Sequence, residues 1–220
     1  MTAVHEAAAW VPLFPDEETP FILAAVLRCT MGLRKERATE LENDISDRLR
    51  DFLDQDTGLK ERPVEVFREV PLYDRRHPRR RPLGRSDIMF LCSTGVRKPW
   101  PYFVIESKRL HVEFSSGWRP LVSEYVIGHQ GMMCFIDQRY AQGLRSGGML
   151  GYVFDGDTEK ARTSVAALIE ANREKLKTAP PFKLVLSSVL PRDSRVSETI
   201  HALAHGGFVI YHLFVAVLDG

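Results

Sequence analysis

Between Gly84 and Leu110 the chain runs GRSDIMFLCSTGVRKPWPYFVIESKRL, and these residues set the expectations for everything around them. Two short apolar runs, Ile88–Cys92 and Tyr102–Ile105, flank a segment carrying Gly95, Pro99 and Pro101. Runs of this length bounded by turn residues predict two strands of a buried hairpin. Alternation then puts Tyr102, Val104, Glu106 and Lys108 on one face and Phe103 and Ile105 on the other. A hairpin symmetric about Val96 and Arg97 sets Asp87 opposite Glu106, with the Lys108 ammonium one step along. Facing carboxylates repel and raise each other's pKa, whereas a divalent cation between them reverses the sign of the problem. Hard oxygen ligands of this kind suit Mg²⁺ or Mn²⁺. The competing reading has Asp87 capping a strand end while Glu106 and Lys108 leave the core for solvent.

Taken together, the Gly-x-x-Asp opening, the apolar run and Glu106-Ser107-Lys108 resemble the signature of the PD-(D/E)XK nuclease superfamily. Asp87 matches the first acidic position, Glu106 the second, Ser107 the variable residue and Lys108 the lysine. The resemblance implies that Asp87, Glu106 and the backbone carbonyl of Ser107 hold Mg²⁺ (or Mn²⁺). It implies that Lys108 orients and helps deprotonate the attacking water. A helix ahead of the first strand often supplies the family with a further glutamate. Here a helix is expected over 37–53, with Leu41, Ile45 and Leu49 as its apolar stripe. Glu42 borders that stripe and is chosen over Glu40, the alternative being a solvated glutamate.

The expected architecture is α/β: a three-layer α/β/α sandwich with a mixed central sheet, an αβββαβ nuclease core and C-terminal strands. Strands are expected at Val64–Tyr73, Met149–Phe154, Phe182–Val189 and Phe208–Leu218, and helices at Phe21–Met31, at Leu121–Tyr140 and, capped by Asp157, through Ala166, Leu168 and Ile169 to Lys177. A single domain over 1–220 is expected, with an N-terminal arm and helix at 1–36, the core at 37–154 and an extension of the same domain at 155–220.

Composition adds bounds. The chain has 220 residues, 44% hydrophobic and 27% charged, enough for one good core, and its formal net charge of +1 does not announce a nucleic-acid binder. Any such role must come from local charge. The segment after the first strand supplies it: Arg75, Arg76, Arg79, Arg80, Arg81 and Arg85 stand against the single acid Asp74. Guanidinium groups bind phosphate oxygens in bidentate fashion, so the segment reads as a phosphate clamp leading into Asp87. Alone, it would read as a solvated loop. Cys29, Cys92 and Cys134 are widely spaced and read as reduced thiols. The longest apolar segment, Phe21–Leu27, falls short of the roughly 18 residues of a membrane span, so a cytoplasmic protein with no membrane contact is expected.

His201 and His205 have the spacing of two ligands on one helix face, but HALAH lacks the glutamate of a metalloprotease motif. The functional expectation is therefore a metal-dependent endonuclease or exonuclease hydrolysing phosphodiesters, DNA ahead of RNA, in a restriction or phage-defence setting. A homodimer or protein partners from a multi-gene system would accompany it. The competing expectation is a catalytically silent nuclease-like module that binds nucleic acid or a protein partner.

Overall fold

The computed structural model describes residues 14–73, 81–92 and 101–220. Most of the N-terminal arm, Arg75, Arg76, Arg79, Arg80 and the turn around Val96 lie outside the described residues. The elements are α1 (Glu18–Thr30), α2 (Glu42–Gln55), α3 (Thr57–Lys60), β1 (Val64–Leu72), β2 (Gly84–Cys92), β3 (Tyr102–Leu110), β4 (Val112–Phe114) and β5 (Gly117–Arg119). They continue with α4 (Val122–Val126), α5 (Met133–Ile136), β6 (Ser146–Val153), α6 (Thr158–Ala171), β7 (Val185–Leu186), β8 (Val196–Leu203) and β9 (Gly206–Ala216).

Seven strands form a mixed sheet in the order β1-β2-β3-β6-β9-β8-β7. The β3/β6 and β6/β9 pairs are parallel and the others antiparallel. Parallel neighbours need a crossover, and helices supply it by covering the faces. On one face Ile22, Leu23, Ile45, Leu49 and Leu53 of α1 and α2 pack with Ile88, Phe90, Phe103 and Ile105. On the other, Val126, Phe135, Val165 and Ile169 pack with Met89, Val104, Leu110 and Met149. The result is a three-layer α/β/α sandwich. Among the described residues, no helix is long and apolar enough to cross a membrane.

Two sequence expectations are corrected. The long helix over Leu121–Tyr140 is two short helices, α4 and α5. A Cβ on Gly131 would lie 2.3 Å from the Glu124 and Tyr125 carbonyl oxygens, so the chain folds back onto α4 where a straight helix would carry on. Met132 N–H, 2.9 Å from the Tyr125 carbonyl, closes that fold. The strand expected over Phe182–Val189 shrinks to β7, and β8, which no expectation named, takes its place beside β9. In the C-terminal segment, β9 lies inside the sheet and pairs with β6 along eight residues.

HALAH is thereby strand and turn. His201 donates from Nδ1 to the Leu176 carbonyl at 2.8 Å, because that oxygen can only accept. Its Nε2 then accepts from Thr199, whose oxygen accepts from His212 Nε2, leaving His212 Nδ1 to accept from Tyr125. This buried chain keeps both rings neutral, with burial pushing His201 down to about 4 and His212 to about 3. His205 bonds elsewhere, to the Leu144 carbonyl.

Gly131→Ala is expected to destabilise the fold by about 1–3 kcal/mol, the range for forcing atoms into filled space. Urea denaturation checks this; a change within error of zero would show that the α4–α5 turn relaxes around a methyl group.

Candidate functional site

Antiparallel pairing of β2 with β3 runs from Leu91 opposite Tyr102 to Ile88 opposite Ile105, and stops there. This is the register symmetric about positions 96 and 97, so Asp87 and Glu106 come next on the two strands, on one face. Beyond that point the strands part. The first half of β2 stays with β1, whereas β3 continues beside β6 from Ile105 to Leu110.

Side chains occupy the split. Cys92 N–H bonds the Pro101 carbonyl, so alternate pairs below it would exchange ladder bonds, and Ser107 would bond Ser86. Neither Ser107 group does so. Its N–H donates to Asp87 Oδ2 at 2.6 Å, and its carbonyl accepts from Lys108 Nζ at 2.6 Å. A carboxylate and an ammonium have taken the place of two backbone partners, and charge-assisted bonds of this kind are stronger than the neutral ones they replace.

Lys108 Nζ also donates to Glu106 Oε1 and to Glu42 Oε1, both at 2.9 Å. Glu42 opens α2, whose apolar stripe packs on the Ile105 face, while Glu106 belongs to the Val104 face. The ammonium thus bridges the two faces through the split. Glu40 is engaged elsewhere, buried against Arg48 at 2.7 Å, which holds its carboxyl low despite the opposing effect of burial. Of the two glutamates, Glu42 reaches Lys108 and Glu40 does not.

Supporting contacts hold Ser107 still. Its hydroxyl meets Ser46 Oγ of α2 at 3.2 Å, and Ser46 meets the Tyr152 hydroxyl at 3.0 Å. Tyr140 closes the other side by donating to the Arg85 carbonyl. A Cβ on Gly84 would lie 2.6 Å from the Tyr140 ring, so only glycine lets that ring in.

Glu69 of β1 completes the charge cluster and was missed in the sequence. It sits between Arg68, opposite Ile88, and Val70, opposite Ser86, and is therefore across from Asp87. Its φ of 48° is left-handed in the middle of a strand, a conformation that costs a non-glycine residue about 1–3 kcal/mol. Asn43 Nδ2 reaches its Oε1 at 3.4 Å. No periodicity marks such a residue, since its role comes from the strand beside it.

Burial pushes Asp87 up to about 6, against the pull of Lys108 and the Ser107 N–H. Burial and the Asp87 charge together push Glu106 up to about 8, outweighing Lys108. The carboxylates around Lys108 keep the ammonium charged by holding its pKa above the ordinary value despite burial. Glu106 Oε2 is buried without a hydrogen-bond partner. An orphaned carboxylate oxygen beside Asp87, with a carbonyl and Glu42 converging nearby, suits a divalent cation. Among the described residues, no cluster of three or more His, Cys, Asp or Glu side chains is close enough to form a cation site by itself. The fit therefore rests on the carboxylate pair with the Ser107 carbonyl.

Of the six arginines in the segment 75–85, Arg81 and Arg85 are described, and both are exposed. Arg85 points a guanidinium toward Glu69 at 3.9 Å, on the rim of the split. A concavity of about 470 Å³ lies elsewhere, between residues 32–36, Arg48, Phe52 and the C-terminal Asp219 and Gly220.

The sign of the pH dependence follows from Glu106. Its unfolded pKa is the ordinary 4.5 and its folded value about 8, so between them the folded state binds more protons and loses stability as pH rises. Glu106→Gln, which keeps an acceptor for Lys108, removes that slope. Without metal, its melting temperature relative to wild type is expected to rise steadily from pH 5 to pH 8; a pH-independent difference would contradict the raised pKa.

The chain was compared with protein-family models, with curated proteins and with solved structures, and it matches none of them.

Proposed function

We propose that the protein is a divalent-cation-dependent nuclease that hydrolyses phosphodiester bonds, with DNA ahead of RNA as substrate. The observation that carries this reading is the replacement of two ladder bonds by Asp87 and Lys108, beside a buried Glu106 with an unpartnered oxygen. Burying these charges costs desolvation that even charge-assisted bonds only partly offset, so the arrangement is best explained by chemistry. It agrees with the resemblance to PD-(D/E)XK nucleases at Asp87, Glu106 and Lys108.

Asp87, Glu106 and the Ser107 carbonyl would hold Mg²⁺ or Mn²⁺, with Glu42 as a further oxygen, direct or through water. When bound, the cation supplies charge neutralisation for the phosphate and a more acidic water. The protein's own groups do the rest. Ser46 and Tyr152 fix the backbone at Ser107, so the carbonyl and the Asp87 contact keep their positions. Lys108, once an N–H is free, donates to the oxygen of the attacking water and orients it, and its positive charge favours loss of the water's proton to solvent. Arg81 and Arg85 at the rim contact phosphates of the backbone and position the strand without reading bases.

The second reading is a silent module. One observation favours it: the Lys108 ammonium already compensates Glu42 and Glu106, which a scaffold would find sufficient. A digestion panel of single- and double-stranded DNA and RNA with Mg²⁺ or Mn²⁺ separates the two. Cleavage is expected from wild type, falling on the order of 10²-fold or more in Asp87→Asn, because the lost carboxylate is needed for the reaction's charge balance. Equal cleavage by both would locate the activity in a contaminant or another site, and no cleavage of any substrate would favour the module. A restriction or phage-defence setting belongs to the same proposal.

The rim arginines make a separate prediction. Arg81→Ala with Arg85→Ala is expected to weaken nucleic-acid binding equally across sequences and to lower the salt slope by about one unit per lost phosphate contact. An unchanged slope in fluorescence anisotropy titrations would mean that these side chains touch only solvent.

A further inference from the structure

Lys108 has three ammonium hydrogens, and three acceptors take them: Glu42 Oε1, Glu106 Oε1 and the Ser107 carbonyl, at 2.9, 2.9 and 2.6 Å. No hydrogen is left to hold a water. Two of these groups, Glu106 and the Ser107 carbonyl, belong with Asp87 to the set that would hold a divalent cation under the function proposed above, and Glu42 is its further oxygen; this inference rests on that reading. A Mg²⁺ or Mn²⁺ ion bound to oxygens at about 2.1 Å could not share them with an ammonium nitrogen in contact with the same atoms, since two positive charges would be pressed together where little water screens them.

We propose that the Lys108 ammonium is the resting counter-ion of the site and that a divalent cation binds by displacing it. The lysine is then a positioning residue in two states. In the first it keeps Glu42, Glu106 and the Ser107 carbonyl together across the split, which is why the split does not spring open from carboxylate repulsion. In the second it is released by the incoming cation, and its freed N–H groups become available to a water. The long, flexible stem permits the move. Cation affinity is thereby lowered by the bonds that must first be broken, so the site fills only where the free cation is plentiful.

Titration of metal-free protein with MnCl₂ by calorimetry, together with thermal melting, tests this in wild type and Lys108→Met. Without Mn²⁺ the variant is expected to melt below wild type, having lost the charge that compensates the carboxylates. With Mn²⁺ it is expected to bind about tenfold more tightly, since no charge-assisted hydrogen bonds need breaking, and to gain more in melting temperature than wild type does. If both proteins bind Mn²⁺ equally, or the variant binds it less tightly, the ammonium does not hold the cation's place, and the inference fails while the metal site stands. If neither binds, the inference falls together with the metal reading. Should Lys108→Met not fold without metal, Lys108→Gln, which keeps an N–H donor but no charge, is put through the same titration and judged by the same outcomes.

Discussion

The hydrogen-bond ladder between β2 and β3 breaks after Ile88 and Ile105, and the candidate site is what fills the break. A sheet normally satisfies every inward N–H and C=O with its neighbour, and an unsatisfied pair would be costly. Here the orphaned N–H and C=O of Ser107 are satisfied by Asp87 and Lys108. This one substitution explains why both side chains point into the sheet's edge-to-edge gap and not to solvent. It also explains how Glu42, on a helix that packs on one face, meets Glu106, which belongs to the other.

The surroundings bear the consequences. Three carboxylates, Glu42, Asp87 and Glu106, gather around one ammonium, Glu69 adds its charge beside Asp87, and burial adds to their mutual repulsion. The protein answers with fixed geometry. The Ser46, Tyr152 and Ser107 hydroxyls tie α2 to β3 and β6, the Tyr140 phenol ties the post-α5 chain to β2, and Glu69 accepts a left-handed backbone. None of these features adds to the stability of the sheet in an obvious way. Together they keep charged groups at set distances, as the proposed phosphate chemistry would require.

Helices and strands differ in how much of this was legible. Asp157 was expected to cap α6 and does so through Lys160 N–H, because a cap is a local feature of the sequence. The expected helix over 121–140 failed because its apolar residues do follow a helical spacing, while the fold-back at Gly131 depends on carbonyl oxygens that only the finished turn brings close. In β8, Val196–Leu203, buried residues lie on both faces, so the period-2 signal that marks a half-exposed strand was missing.

The amino-acid sequence by itself determined the pair Asp87 and Glu106, since strand alternation and a hairpin's symmetry are properties of short stretches. It also determined the α/β class, through alternating apolar runs and amphipathic segments. Only the tertiary structure decided that the strands part at that pair, that Glu42 and not Glu40 reaches the lysine, and that Glu69 stands across from Asp87. Those relations join residues tens of positions apart, through the packing of α2 and β1 against the hairpin. No local pattern encodes them, because each depends on where a distant backbone comes to rest.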